Sequence, residues 1–177
     1  MDAIVSVTRD WGIGKDGGLA IANRADMRRF VQLTCGGRKP KDALPGEVFG
    51  TVVMGRKTLE SFPHGPLKAR RNIVITTNGT LIIEGAEVAH SVDEALALVA
   101  GSNPDTVWLI GGESIYRQLL PHCRRVWVTM NDVEVPCDAW FPNLDEDPSW
   151  HLTHVTPGGV TDEGVSFSYR TYEKAVD

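Results

Sequence analysis

The sequence has no apolar run of membrane length, no regular cysteine framework and no metal-ligand spacing. A spanning helix needs roughly 18 or more consecutive apolar residues, and none occurs. The three cysteines, Cys35, Cys123 and Cys137, are scattered and odd in number, which excludes a disulfide-stapled secreted scaffold. No signal-peptide pattern is found, so the expectation is a soluble cytoplasmic chain with free thiols. With neither C-x-x-C nor His-x-x-x-His, no metal site is expected. Internal repeats and low-complexity tracts are also missing. A net charge of −5 argues against a general nucleic-acid or membrane surface. What is there, 42% hydrophobic and 23% charged residues over 177 positions, is the make-up of one globular domain.

The hydrophobic pattern is that of an α/β fold. Ala3–Val7, Thr51–Met54, Asn72–Thr76 and Thr106–Ile110 are near-continuous apolar runs, as strands buried on both faces of a parallel sheet require. Arg125–Met130 is a further predicted strand. Helices are predicted at Arg24–Thr34, Lys57–Ser61, Val92–Val99 and Ser114–Leu120, the third opened by a capping box of Ser91 and Glu94. His151–Val155 and Val165–Glu173 alternate polar with apolar, which suits half-buried antiparallel or edge strands. Strand–helix alternation predicts a three-layer α/β architecture with an antiparallel tail. Cys35–Gly50, rich in Gly, Pro and Lys, reads as a surface loop, either functional or decorative.

One helix carries an acid in an unexpected place. Asp26, Phe30 and Leu33 share the inward stripe of Arg24–Thr34, with Met27 and Val31 beside them. Asn23 is a good N-cap, and Asp26 falls three residues later, where a capping-box acid belongs. Capping accounts for an acid there; its place on the inward stripe leaves a second role open.

Two strand-to-helix turns suit anion binding. In "VVMGRKT" Gly55 follows a buried strand, and Arg56, Lys57 and Thr58 open a helix; "WLIGGES" repeats the theme with Gly111 and Gly112 before Glu113 and Ser114. Glycine lets a ligand approach the backbone, and the free N–H groups of a first helical turn attract anions. Neither turn is a G-x-G-x-x-G or Walker pattern, so a tight connection and a phosphate site both remain open.

Taken in order, "AIVSV…GIG", "ADMRRF", "VMGRKTLESF", "PLKARRNIVIT", "VWLIGGESIYRQLLP", "VWVTMNDVEVPCDAWFP" and "SFSYRTYE" resemble dihydrofolate reductase from about Ala3 to Glu173. Each piece is weak alone, and the set is specific. The resemblance implies a single domain over residues 1–177 with an adenosine-binding subdomain at about 50–104. It implies an eight-stranded, mostly parallel mixed sheet, four flanking helices and an antiparallel C-terminal strand. It further implies a monomer that transfers a hydride from C4 of NADPH to C6 of dihydrofolate, adds a proton at N5, and binds antifolates.

By the same resemblance, Asp26 matches the acid that hydrogen-bonds the pterin amidine edge, a planar group to which a carboxylate offers two acceptors. Thr129 matches the hydroxyl that supports that acid. Ile4, Val5, Met27, Phe30, Phe62, Leu67 and Ile110 resemble the apolar walls around pterin and aminobenzoyl ring, with ordinary core packing as the alternative for each. Arg70 matches the arginine that clamps the glutamate α-carboxylate, Asn72 setting its register over Arg71. Tyr116 is implied close to substrate and nicotinamide. Ser6 and Ile13 would contact the carboxamide through their backbones, with Gly14 and Leu19 in the same cofactor set. Gly55, Arg56, Lys57 and Thr58, and Ile110, Gly111, Gly112, Glu113, Ser114 and Ile115, would hold the cofactor around its pyrophosphate. Arg56 with Thr76 and Thr77 would meet the adenosine ribose and its 2′-phosphate.

The chain departs from the family at Ala20 and Ile21, where Pro-Trp is usual, and at Arg24, where Pro is common. Ile21 has no N–H to offer an ordered water, and fewer prolines free the backbone of this loop, so altered loop closure and inhibitor response are expected. Ser114 stands where many relatives carry a basic residue; NADPH is still expected because Arg56 and Lys57 are present. Two rival readings are an NADPH-dependent pyrimidine reductase of riboflavin synthesis and an inactive folate- and NADPH-binding relative.

Overall fold

The computed structural model describes residues 1–176. Its strands and α-helices follow one another as β1 (Asp2–Val7), β2 (Gly12–Lys15), β3 (Gly18–Leu19), α1 (Arg24–Thr34), β4 (Gly50–Gly55), α2 (Arg56–Glu60), β5 (Arg70–Ile75), β6 (Glu87–Ala89), α3 (Val92–Val99), β7 (Val107–Gly111), α4 (Glu113–Leu119), β8 (Arg125–Asn131), β9 (Ala139–Trp140), β10 (Trp150–Val160) and β11 (Ser166–Lys174). Eight strands form one sheet in the order β10-β11-β8-β1-β7-β4-β5-β6. From β8 to β6 all neighbours are parallel, while β11 is antiparallel to β8 and β10 to β11. This is the expected mixed sheet with an antiparallel tail.

α1 and α3 begin and end where expected. α2 and α4 start one residue earlier than expected, at Arg56 and Glu113, because the extended residues Gly55 and Gly112 are their N-caps. At α3, Ser91 Oγ accepts from Glu94 N–H at 3.0 Å, but the Glu94 carboxylate takes the N–H of His90 rather than that of Ser91. The eighth strand implied by the resemblance is β6, whose position the hydrophobic pattern had not marked, and the small β3-β2-β9 sheet was not anticipated. Two to four residues are too few to show a period.

Strand alternation divides the core into two layers. On one face Ala3, Val5, Val7, Val53, Ile73, Ile75, Val107, Leu109, Val126 and Val128 pack with Val92, Leu96 and Val99 of α3 and Ile115 and Leu119 of α4. On the other Ile4, Val52, Met54, Val74, Trp108 and Trp127 pack with Phe30 and Leu33 of α1 and Leu59 of α2. The three-layer expectation is met, and the second face is the one on which the unusual polar groups gather.

Candidate active site

On the α1-facing side, register places Ile4 opposite Trp127 and Ser6 opposite Thr129 across β1 and β8. α1 lies over this row. Asn23 is its N-cap, in extended backbone, with Oδ1 accepting from the Asp26 N–H at 3.0 Å. The Asp26 carboxylate does not complete a capping box. It turns inward, 9% exposed, and its Oδ1 accepts from Thr129 Oγ1 at 2.6 Å. Burial pushes this carboxyl above its usual range, and the Thr129 hydroxyl and the Arg29 guanidinium oppose that rise. Among the described residues no group donates to Oδ2, so one carboxylate oxygen is unclaimed by the protein.

A second polar chain ties the start of α1 to the sheet. Asn23 Nδ2 donates to Asn131 Oδ1 at 3.0 Å, and Asn131 Nδ2 donates to Val7 O at 2.9 Å and to Ser6 Oγ at 3.0 Å. Asn131 was missed by sequence reasoning. Its signal was a polar residue at the end of the strand, two positions after Thr129 and so on the same side.

Of the expected wall residues, Ile4, Phe30, Phe62, Leu67 and Ile110 meet in one apolar cluster. Val5 does not join them. Its side chain points into the opposite layer, because successive residues of a strand alternate. Met27 is about half exposed and lines a surface depression of about 570 Å³ with Leu19, Asn23 and Arg28. Arg70 is 8% exposed; its Nε donates to Lys68 O at 3.0 Å and its Nη1 to Thr34 Oγ1 at 3.2 Å, which anchors it against the end of α1. Among the described residues its Nη2 donates to none. Arg71 faces the other way, pairing with Glu87 at 2.8 Å and donating to Leu98 O, so alternation along β5 separates the two arginines.

The two glycine turns stand side by side. A Cβ on Gly112 would lie 3.4 Å from Thr58 Oγ1, and one on Gly55 would lie 3.0 Å from Ile115 Cγ1. Gly111 has φ +124°, and its Cβ would meet the Tyr116 ring at 3.2 Å; both constraints require glycine. The Gly111–Gly112 peptide is cis. No side chain caps α2 or α4, so their first N–H groups have no side-chain acceptor. Arg56 and Lys57 are exposed beside them, Arg56 3.5 Å from Glu60, with Thr76 half-buried and Thr77 exposed at the end of β5. Glu113 pairs with Arg117 at 3.5 Å, and Ser114 Oγ accepts from Gln118 Nε2 at 2.9 Å. Ile13 packs on the larger core cluster, and Gly14 pairs with the exposed Leu19 across β2 and β3. Tyr116 is 4% exposed and donates through its hydroxyl to Ile4 O at 2.7 Å, beneath Gly111. Burial holds its pKa above the usual phenol range.

A sequence model described as dihydrofolate reductase matches residues 1–174. The chain is 32% identical to dihydrofolate reductase of Heliothis virescens, covering 98% of this chain and 97% of that one. It is 37% identical to the bifunctional dihydrofolate reductase-thymidylate synthase of Glycine max over 80% of this chain, and it spans only 28% of that relative's length. Among solved structures, dihydrofolate reductase from Enterococcus faecalis, complexed with NADP(H) and RAB-propyl, superimposes with a TM-score of 0.80 at 29% identity. That match covers 99% of this chain and 96% of the other.

Proposed function

The chain belongs to the dihydrofolate reductase family, and we propose that it reduces 7,8-dihydrofolate to 5,6,7,8-tetrahydrofolate with NADPH. The observation that carries this reading is the Asp26 carboxylate: buried, held on one oxygen by Thr129 and unclaimed on the other. Such a group accepts paired N–H donors from the amidine edge of a pterin and sets the ring's orientation, since charge-assisted bonds in a desolvated site are strong. Asp26 acts by orientation and field, and the N5 proton arrives through water. Ile4, Phe30, Phe62, Leu67 and Ile110 form the apolar walls around the rings. Arg70 presents its outer guanidinium edge to the glutamate carboxylate.

The chemistry of the glycine turns fits NADPH. Glycines whose Cβ atoms would crowd neighbouring side chains leave backbone open at two adjacent helix starts, and Arg56, Lys57, Thr76 and Thr77 add cationic and hydroxyl donors for a 2′-phosphate. NADPH, when bound, supplies the hydride. Residues from about 50 to 104 form the adenosine-binding subdomain, and Ser6, Ile13 and Gly14 contact the nicotinamide side through their backbones. The protein works as a cytoplasmic monomer on small molecules.

The test is loss of absorbance at 340 nm with NADPH and dihydrofolate, run beside Asp26→Asn. Turnover that collapses in the variant supports the reading. NADPH binding with no turnover in the unaltered protein overturns it in favour of a pyrimidine reductase or an inactive binder.

A further inference from the structure

Arg29 follows Asp26 by one turn of α1 and is drawn inward. Its guanidinium carbon lies 4.0 Å from the centroid of the Tyr169 ring and 5.7 Å from that of Trp127. Both rings belong to the surface that carries Thr129: Trp127 lies two residues earlier on β8, on the same face, and Tyr169 is paired with Thr129 across β8 and β11. Arg29 Nη1 is buried and has no acceptor among the described residues. An apolar side chain would fill a slot between two rings without leaving a buried donor unmatched. A cation there needs a compensating partner, and the anion one helical turn away is Asp26.

Resting on the reading of the site as a reductase centre, we propose that Arg29 is a positioning residue for Asp26, a cation held over the Tyr169 ring whose field favours the charged form of the neighbouring carboxylate on a desolvated floor. The other groups facing Asp26 carry no charge that could do this. From β8, Thr129 is a neutral donor. From β1, Ile4 is apolar. From α4, Tyr116 is held protonated by burial and commits its hydroxyl to Ile4 O. On α1 itself, Arg28 is exposed. The coupling is mutual: burial is the largest influence on both groups, raising the Asp26 carboxyl and lowering the Arg29 guanidinium, and each charge works against the other's shift.

The experiment is a titration of the Asp26 carboxyl carbon by NMR in the full chain, labelled with 13C at aspartate side chains, the resonance being assigned by its absence in Asp26→Asn. Arg29→Met keeps the bulk and removes the charge; Arg29→Gln does the same should the methionine variant not fold. Arg29→Lys retains the charge. The expected result is a midpoint moved to higher pH in the neutral variants, roughly tenfold tighter proton binding. The lysine variant lies closer to the unaltered protein, and the pH profile of kcat/KM moves in the same direction. Neutral variants that fold and titrate with the unaltered protein overturn the proposal, even where dihydrofolate turnover is intact. A moved midpoint in a protein without turnover supports the pair while removing the reductase reading.

Discussion

Replacing Asn23 with alanine removes two buried hydrogen bonds at once. Its Oδ1 caps α1 through the Asp26 N–H, and its Nδ2 donates to Asn131 Oδ1, each at 3.0 Å. Asn23 is 4% exposed and Asn131 fully buried, so water does not substitute freely. Loss of an N-cap costs about 1 kcal/mol, and stranding the Asn131 oxygen costs about 1–3 kcal/mol. Together they predict a destabilisation of about 2–4 kcal/mol. In a domain of this size each kcal/mol lowers Tm by about 2–4 °C, so a fall of roughly 4–16 °C is expected. Chemical denaturation measures the free energy directly, with the slope on denaturant unchanged. Asn23→Ser separates the two contributions, because a serine still caps but is too short to donate to Asn131. It retains about 1 kcal/mol over alanine. Since the first turn of α1 aims Asp26, kcat/KM for dihydrofolate falls in both variants. A loss below about 1 kcal/mol for Asn23→Ala, or identical losses for Ala and Ser, would refute the reasoning.

Asp26→Asn is expected to abolish turnover and to stabilise the fold at pH 8. Because burial raises the folded-state pKa of Asp26 above its unfolded value, its contribution to stability is fully present below the unfolded pKa and is lost as pH rises through the folded one. The neutral amide still accepts from Thr129 and escapes that loss. Its advantage of about 0.5–2 kcal/mol at pH 8 therefore shrinks to nothing near pH 4, as thermal melts at the two pH values would show; a constant difference would contradict the sign. Gly50→Ala places a Cβ 2.2 Å from the backbone oxygen of Thr34, the residue that anchors Arg70. Backbone cannot yield as a side chain does, so a loss of about 3 kcal/mol in denaturant melts is expected, together with a raised KM for dihydrofolate. Ile21→Trp should change both antifolate affinity and the hydride-transfer rate; no change in either would dismiss a role for the altered loop.

Much of the scaffold was legible because its causes are local. Asn23 and Ser91 mark the starts of α1 and α3 by capping chemistry that needs only a few neighbouring residues, and continuous apolar runs mark strands covered on both sides. The Gly55 and Gly112 turns were visible too, although which residue opened each helix depended on backbone angles that a string of letters does not carry. The same continuity that identified the buried strands concealed their orientation. With apolar residues at every position, nothing in Ala3–Val7 tells Ile4 from Val5, and only packing on α1 or on α3 and α4 assigns their faces.

The sequence alone determined that Asp26 stands on the inward stripe of a capped helix. Tertiary structure alone decided what it meets there: Thr129, 103 residues away, on one oxygen, and the field of an arginine held by the rings of Trp127 and Tyr169. It likewise decided that Tyr116 is tied to Ile4 and that Asn131 locks Asn23 to β1. Helix periodicity and caps act over a single turn. The proton affinity of a buried acid depends on solvent exclusion and on charges brought near by chain closure, and neither exists until the sheet has formed.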